Sequence, residues 1–104
     1  MPTEPTRSTS EREQRRVRVL VSGFVQGVWF RDSCRDEATA LGVTGYVRNL
    51  ADGRVEVVIA GSAPAVSSLL KRLHEGPAQA KVEKVAVSEW TEAVPTGFQL
   101  RPTA

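Results

Sequence analysis

Gly23-Phe24-Val25-Gln26-Gly27-Val28-Trp29-Phe30 carries the chain from an aliphatic strand pattern into a helix pattern and is bracketed by glycines. Successive backbone N–H groups at a helix N-terminus form a cradle for anions. Glycine suits a backbone that turns tightly or approaches a ligand, yet glycine-flanked connectors without a ligand are also common, so the loop alone leaves both readings open. Arg31 follows in the first turn of the helix, where a cation opposes the helix dipole by roughly 0.3–1 kcal/mol. Either Asp32 or Asp36 neutralises it there, or a bound anion does, since an arginine clamps a phosphoryl group through several donors at fixed geometry. Asn49 stands just before a turn, where such residues commonly bond their own backbone. Facing a bound phosphoryl group, its amide could instead accept from and donate to a water and orient it.

These residues need a scaffold that brings them together. Val17, Val19 and Val21 alternate as a strand. Cys34, Ala38 and Leu41 form the apolar stripe of a helix that ends at Gly42. Val43 to Leu50 and Arg54 to Ala60 read as strands joined through Asp52-Gly53, a hairpin signal. Ser62 caps a second helix with Pro64 in its first turn and a stripe of Val66, Leu69, Leu70 and Leu73, stopped by Gly76-Pro77. Val82 to Trp90 and Phe98 to Arg101 are the remaining strands. The order βαββαβ plus a short C-terminal strand predicts an α+β, ferredoxin-like split-βαβ sandwich, with two helices on one face of an antiparallel sheet. Sheet order 4-1-3-2 would make the first two strands parallel and leave their C-terminal ends about 10 Å apart at one sheet edge. The glycine loop and Asn49 would meet there.

Composition narrows the remaining possibilities. The 104 residues suit one domain. Residues 1–16, rich in Thr, Ser, Pro, Glu and Arg, read as a disordered N-terminal extension to a domain at 17–104. That extension holds Arg7, Arg12, Arg15 and Arg16 against Glu4, Glu11 and Glu13, so the rest of the chain is nearly neutral. No basic stripe interleaved with aromatics suggests a nucleic-acid groove, and Arg54 to Ala60 lacks the aromatics on which an RNA-binding sheet stacks bases. One cysteine and one histidine offer no disulfide and no metal-ligand set. Cys34 lies on an apolar stripe as a packed thiol, and His74 receives no role. With no apolar run near the roughly 20 residues of a membrane span and no signal-like start, the expectation is a cytoplasmic monomer without membrane or nucleic-acid partners.

The run Gly23 to Arg31 closely resembles the acylphosphatase signature G-x-V-Q-G-V-x-F-R. Gly45-Tyr46-Val47-Arg48-Asn49 is similar to a second motif of that family, with Asn49 eighteen residues after Arg31. The resemblance spans Val17 to about Arg101. It implies that Arg31 and the amides of Val25, Gln26, Gly27, Val28, Trp29 and Phe30 bind a phosphoryl group while Asn49 orients the attacking water, with no metal or cofactor. The implied substrates are small acyl phosphates, hydrolysed to carboxylate and inorganic phosphate. A phosphate-binding relative without activity could keep Gly27 and Arg31 and dispense with Asn49, whose presence favours an enzyme.

Overall fold

A computed structural model describes residues 14–104. The elements are β1 (Gln14–Phe24), α1 (Phe30–Leu41), β2 (Thr44–Asn49), β3 (Val55–Ser62), α2 (Ala63–Glu75), β4 (Lys81–Glu89) and β5 (Phe98–Leu100). They form one five-stranded sheet in the order β4-β1-β3-β2-β5. Valines alternate along β1, and Val17, Val19 and Val21 are fully buried against Cys34 and Ala38 of α1 and Val66, Leu69 and Leu73 of α2. Burying such side chains contributes about 1.5–3 kcal/mol each, which holds both helices on one face. Gly42, with φ 75°, ends α1 by returning its N–H to Thr39. Ser62 Oγ accepts from the Ala65 N–H at 3.3 Å and starts α2, as its sequence position suggests.

Two expectations change. The first strand begins at Gln14 rather than Val17, because Gln14, Arg15 and Arg16 pair with Ser62, Gly61 and Ala60 through backbone alone. Polar side chains there leave no alternation to read. The part of the expected disordered extension at 1–13 lies outside the described residues. The sheet is also mixed rather than antiparallel: β5 runs parallel to β2, pairing Phe98 with Gly45 and Leu100 with Val47. The chain leaves β4 at one edge and returns at the opposite edge, so its last strand takes the direction of β2. Gly45 permits the close approach of β3, since a Cβ there would lie 1.9 Å from the Val58 carbonyl oxygen.

The register fixes the edge at which the loop and Asn49 meet. Val55 of β3 is the Cα partner of Val21 on one side and of Asn49 on the other. Because β3 is antiparallel to both neighbours, β1 and β2 are parallel and end at the same edge. Asn49 therefore stands on the same row as the last core valine of β1, with β3 between them.

On the face opposite the helices, Glu56 is buried between Arg18 and Arg48, each with Nε at 2.6 Å from a carboxylate oxygen. Burial alone would push its pKa up. The hydrogen bonds and charges of Arg18 and Arg48 outweigh that and hold the carboxyl below its ordinary value. Tyr46 adds its hydroxyl at 3.3 Å and lies beneath the Arg101 guanidinium, 4.0 Å from the ring centre.

Candidate active site

β1 ends in a bulge between Ser22 and Gly23. Gly23 sits at φ 125°, where a Cβ would lie 2.2 Å from the Lys81 carbonyl oxygen, so only glycine lets the chain turn out of the sheet there. Gly27 follows at φ 75°. Val25 and Val28 are buried anchors that fix the loop from below, and Phe30 seats the start of α1 in the core. Between them Gly27 and Trp29 are exposed.

Trp29 is the N-cap of α1 at φ 65°, ψ 20°, a left-handed conformation that costs a non-glycine residue about 1–3 kcal/mol. No side chain caps the helix, and Ser33 is the first residue of the segment whose amide finds a backbone acceptor, the Trp29 carbonyl at 3.0 Å. The amides of residues 25–32 have no backbone acceptor among the described residues. Left-handed residues at positions 27 and 29 enclosing a turn form the kind of concavity that gathers N–H groups on one side.

These elements surround a pocket of about 240 Å³ lined by Val25, Gly27, Trp29, Phe30, Arg31, Asp32 and Asn49. The loop and Asn49 are thus brought together across β3. Arg31 is half-buried and has no ion-pair partner among the described residues. The carboxylates that could have neutralised it, Asp32 and Asp36, face Arg35 at 3.7 and 3.3 Å. Opposite, Asn49 Oδ1 is buried without a hydrogen-bond partner. An orphaned buried oxygen costs about 1–3 kcal/mol and calls for an explanation. The asparagine does not close a turn on its own backbone. The pocket thus combines free amides, an unpaired guanidinium and an unpaired amide oxygen.

Gln26 and Val28 of the signature do not line the pocket. Val28 is buried in the core, whereas the Gln26 side chain turns to the hairpin and donates to the carbonyls of Leu50 and Arg54 at 2.8 and 2.9 Å. Its strapping role carries no local sequence signal, because the acceptors lie more than twenty residues away. Cys34 is buried, and desolvation, aided by the charge of Glu37, pushes its thiol up to about 12. It does not line the pocket. His74 is exposed, with Nδ1 2.9 Å from the Leu70 carbonyl oxygen of its own helix, and stands outside the pocket. Among the described residues no three of His, Cys, Asp and Glu are grouped to hold a metal, and no helix is long and apolar enough to cross a membrane.

The acylphosphatase family model matches residues 17–100. The chain belongs to the acylphosphatase family. An acylphosphatase of Rubrobacter xylanophilus is 60% identical over 80 residues, which is 77% of this chain and 73% of that one. One from Halorhodospira halophila is 48% identical over 84% of this chain and 95% of its own. Among solved structures, an acylphosphatase from Coxiella burnetii superposes with a TM-score of 0.82 at 39% identity, covering 90% of this chain and 99% of its own. Acylphosphatases are hydrolases that act on acid anhydrides, and the helices-on-sheet architecture described above is the fold of this family.

Proposed function

We propose that the chain hydrolyses acyl phosphates, with Arg31 and the amides of Val25 to Phe30 binding the phosphoryl group and Asn49 orienting the attacking water. The observation that carries this reading is the unpartnered, buried Asn49 Oδ1 across the pocket from an unpaired Arg31. A phosphoryl group seated on the amides and Arg31 would neutralise the guanidinium and meet the free N–H donors. A water held by Asn49 Oδ1 would then attack phosphorus. Its oxygen forms the new P–O bond, the bond from phosphorus to the acyl oxygen breaks, and the carboxylate leaves with that electron pair. The water's proton passes to a phosphoryl oxygen and on to solvent.

No acid is required for this leaving group, since a carboxylate departs unprotonated at neutral pH. Positioning and electrostatics suffice, which is what phosphoryl transfer asks of a protein. The family resemblance supports a reaction without metal or cofactor, and the lone packed cysteine is consistent with a reducing, cytoplasmic setting.

Phosphate release from acetyl and benzoyl phosphate, in the absence of added metal, tests the reading. Asn49→Ala should lower kcat by two to three orders of magnitude, on the order of the loss of one positioned transition-state group, while inorganic phosphate still binds. Arg31→Ala should weaken phosphate binding as well. A folded wild-type protein without turnover would overturn the assignment, and equal phosphate affinity in wild type and Arg31→Ala would overturn the division of labour.

A further inference from the structure

The phosphoryl pocket leaves one large side chain unexplained. Trp29 is 73% exposed and stands at the N-cap in a left-handed conformation. It forms a wall of the phosphoryl pocket and also of an adjoining open groove along the outer side of α1, whose other walls include Asp32, Ser33, Asp36, Glu37 and Ala40. Trp29 and Asp32 are common to both, so a group attached to a phosphoryl seated at Arg31 reaches the groove by passing the indole. The groove has no lysine or arginine in its wall. Its carboxylates are only partly compensated from outside, Asp32 and Asp36 by Arg35 and Glu37 by Arg72.

We propose that Trp29 is the specificity-determining residue for the acyl half of the substrate, its indole packing against a planar, uncharged acyl group while the acidic groove beyond it disfavours acyl groups that carry a carboxylate. The inference rests on the function proposed above and deepens it. An aromatic acyl group over an indole gains an offset-stacked or edge-to-face contact besides the area it buries. A carboxylated acyl group gains no such contact and meets like charge.

Non-hydrolysable phosphonates separate recognition from turnover. Calorimetry with benzylphosphonate, methylphosphonate and 3-phosphonopropanoate should show the wild type binding the benzyl compound about tenfold more tightly than the methyl one, from the aromatic contact, and the carboxylated compound least. Trp29→Ala should bring the benzyl-to-methyl ratio close to one. Trp29→Phe should restore most of it, and Asp36→Asn should improve the carboxylated probe selectively. The kcat/KM values for benzoyl, acetyl and succinyl phosphate should follow the same order. A benzyl-to-methyl ratio equal in wild type and Trp29→Ala, or lost equally in Trp29→Phe, overturns the role of the indole while leaving acyl phosphate hydrolysis standing. A folded wild type that binds no phosphonate and turns over no acyl phosphate overturns both.

Discussion

The Gln26 amide nitrogen sits 2.8 Å from the Leu50 carbonyl oxygen, so the loop that forms one wall of the pocket is fastened to the residue directly after Asn49, which forms the other. With its second bond to the Arg54 carbonyl, the same NH2 group spans the hairpin neck. The Gln26 side chain thus ties the loop to the hairpin and is turned away from the pocket.

Gln26→Ala should therefore lower stability by about 1–2 kcal/mol, the usual worth of two part-buried hydrogen bonds, and loosen the loop relative to Asn49. Calorimetric unfolding would show a midpoint lower by several degrees. The kcat/KM for acetyl phosphate should fall about tenfold, because misplacement by a fraction of an ångström weakens positioning. Gln26→Glu should be worse than Gln26→Ala, since a carboxylate turned toward two carbonyl oxygens repels both.

Glu56→Gln should cost about 2 kcal/mol, less than a fully buried ion pair would, because Arg18 and Arg48 are each about one-third exposed. The folded-state carboxyl lies below its ordinary pKa, so its contribution is complete above about pH 4.3, the unfolded value. It is lost as pH falls through the lower, folded-state pKa. Urea unfolding of wild type and Glu56→Gln from pH 7 down to pH 3 should show the two curves converging at the acid end.

Cys34 should resist thiol-specific disulfide reagents in the folded protein even at pH 9, because burial and the nearby Glu37 push the thiolate out of reach. Labelling should become rapid only in denaturant. Cys34→Ala should keep acyl phosphate turnover while losing about 1 kcal/mol of stability from the removed sulfur.

Gly45→Ala should fail to give a stable fold, as the new methyl would meet the Val58 carbonyl oxygen at 1.9 Å and the Ile59 Cα at 2.9 Å, both backbone atoms of β3 that cannot swing aside. Gly53→Ala, in the hairpin at φ 99° but with open space around it, should cost only about 1 kcal/mol from the strained backbone. Denaturant midpoints of the two variants would separate steric exclusion from conformational preference.

Local patterns made much of the fold legible. Alternating valines placed β1, Asp52-Gly53 marked the hairpin, Gly42 and Ser62 marked helix ends, and the element order gave the arrangement that brings the loop and Asn49 to one edge. The pairing of residues 14–16 was not legible because it runs through backbone alone, and the parallel seating of β5 depends on where the chain returns after β4. At the candidate site, the unfavourable place of Arg31 on the helix dipole singled out a residue that the structure puts in the pocket wall. The strap made by Gln26, the left-handed Trp29 and the burial of Glu56 all depend on neighbours distant in sequence, and no local composition announces them.

The insertion of β3 between β1 and β2 has a consequence for how the molecule comes into being. One wall of the pocket lies within residues 25–32 and the other at Asn49, and they meet only because Val55 pairs with Val21 and Asn49 at once. A fragment ending at Leu41 would carry the loop without its counterpart, and the isolated hairpin would carry Asn49 without the loop. On the proposed function, regain of phosphate binding during refolding should therefore time the docking of the central strand, and a nascent chain should bind no phosphate until residue 55 has joined the sheet.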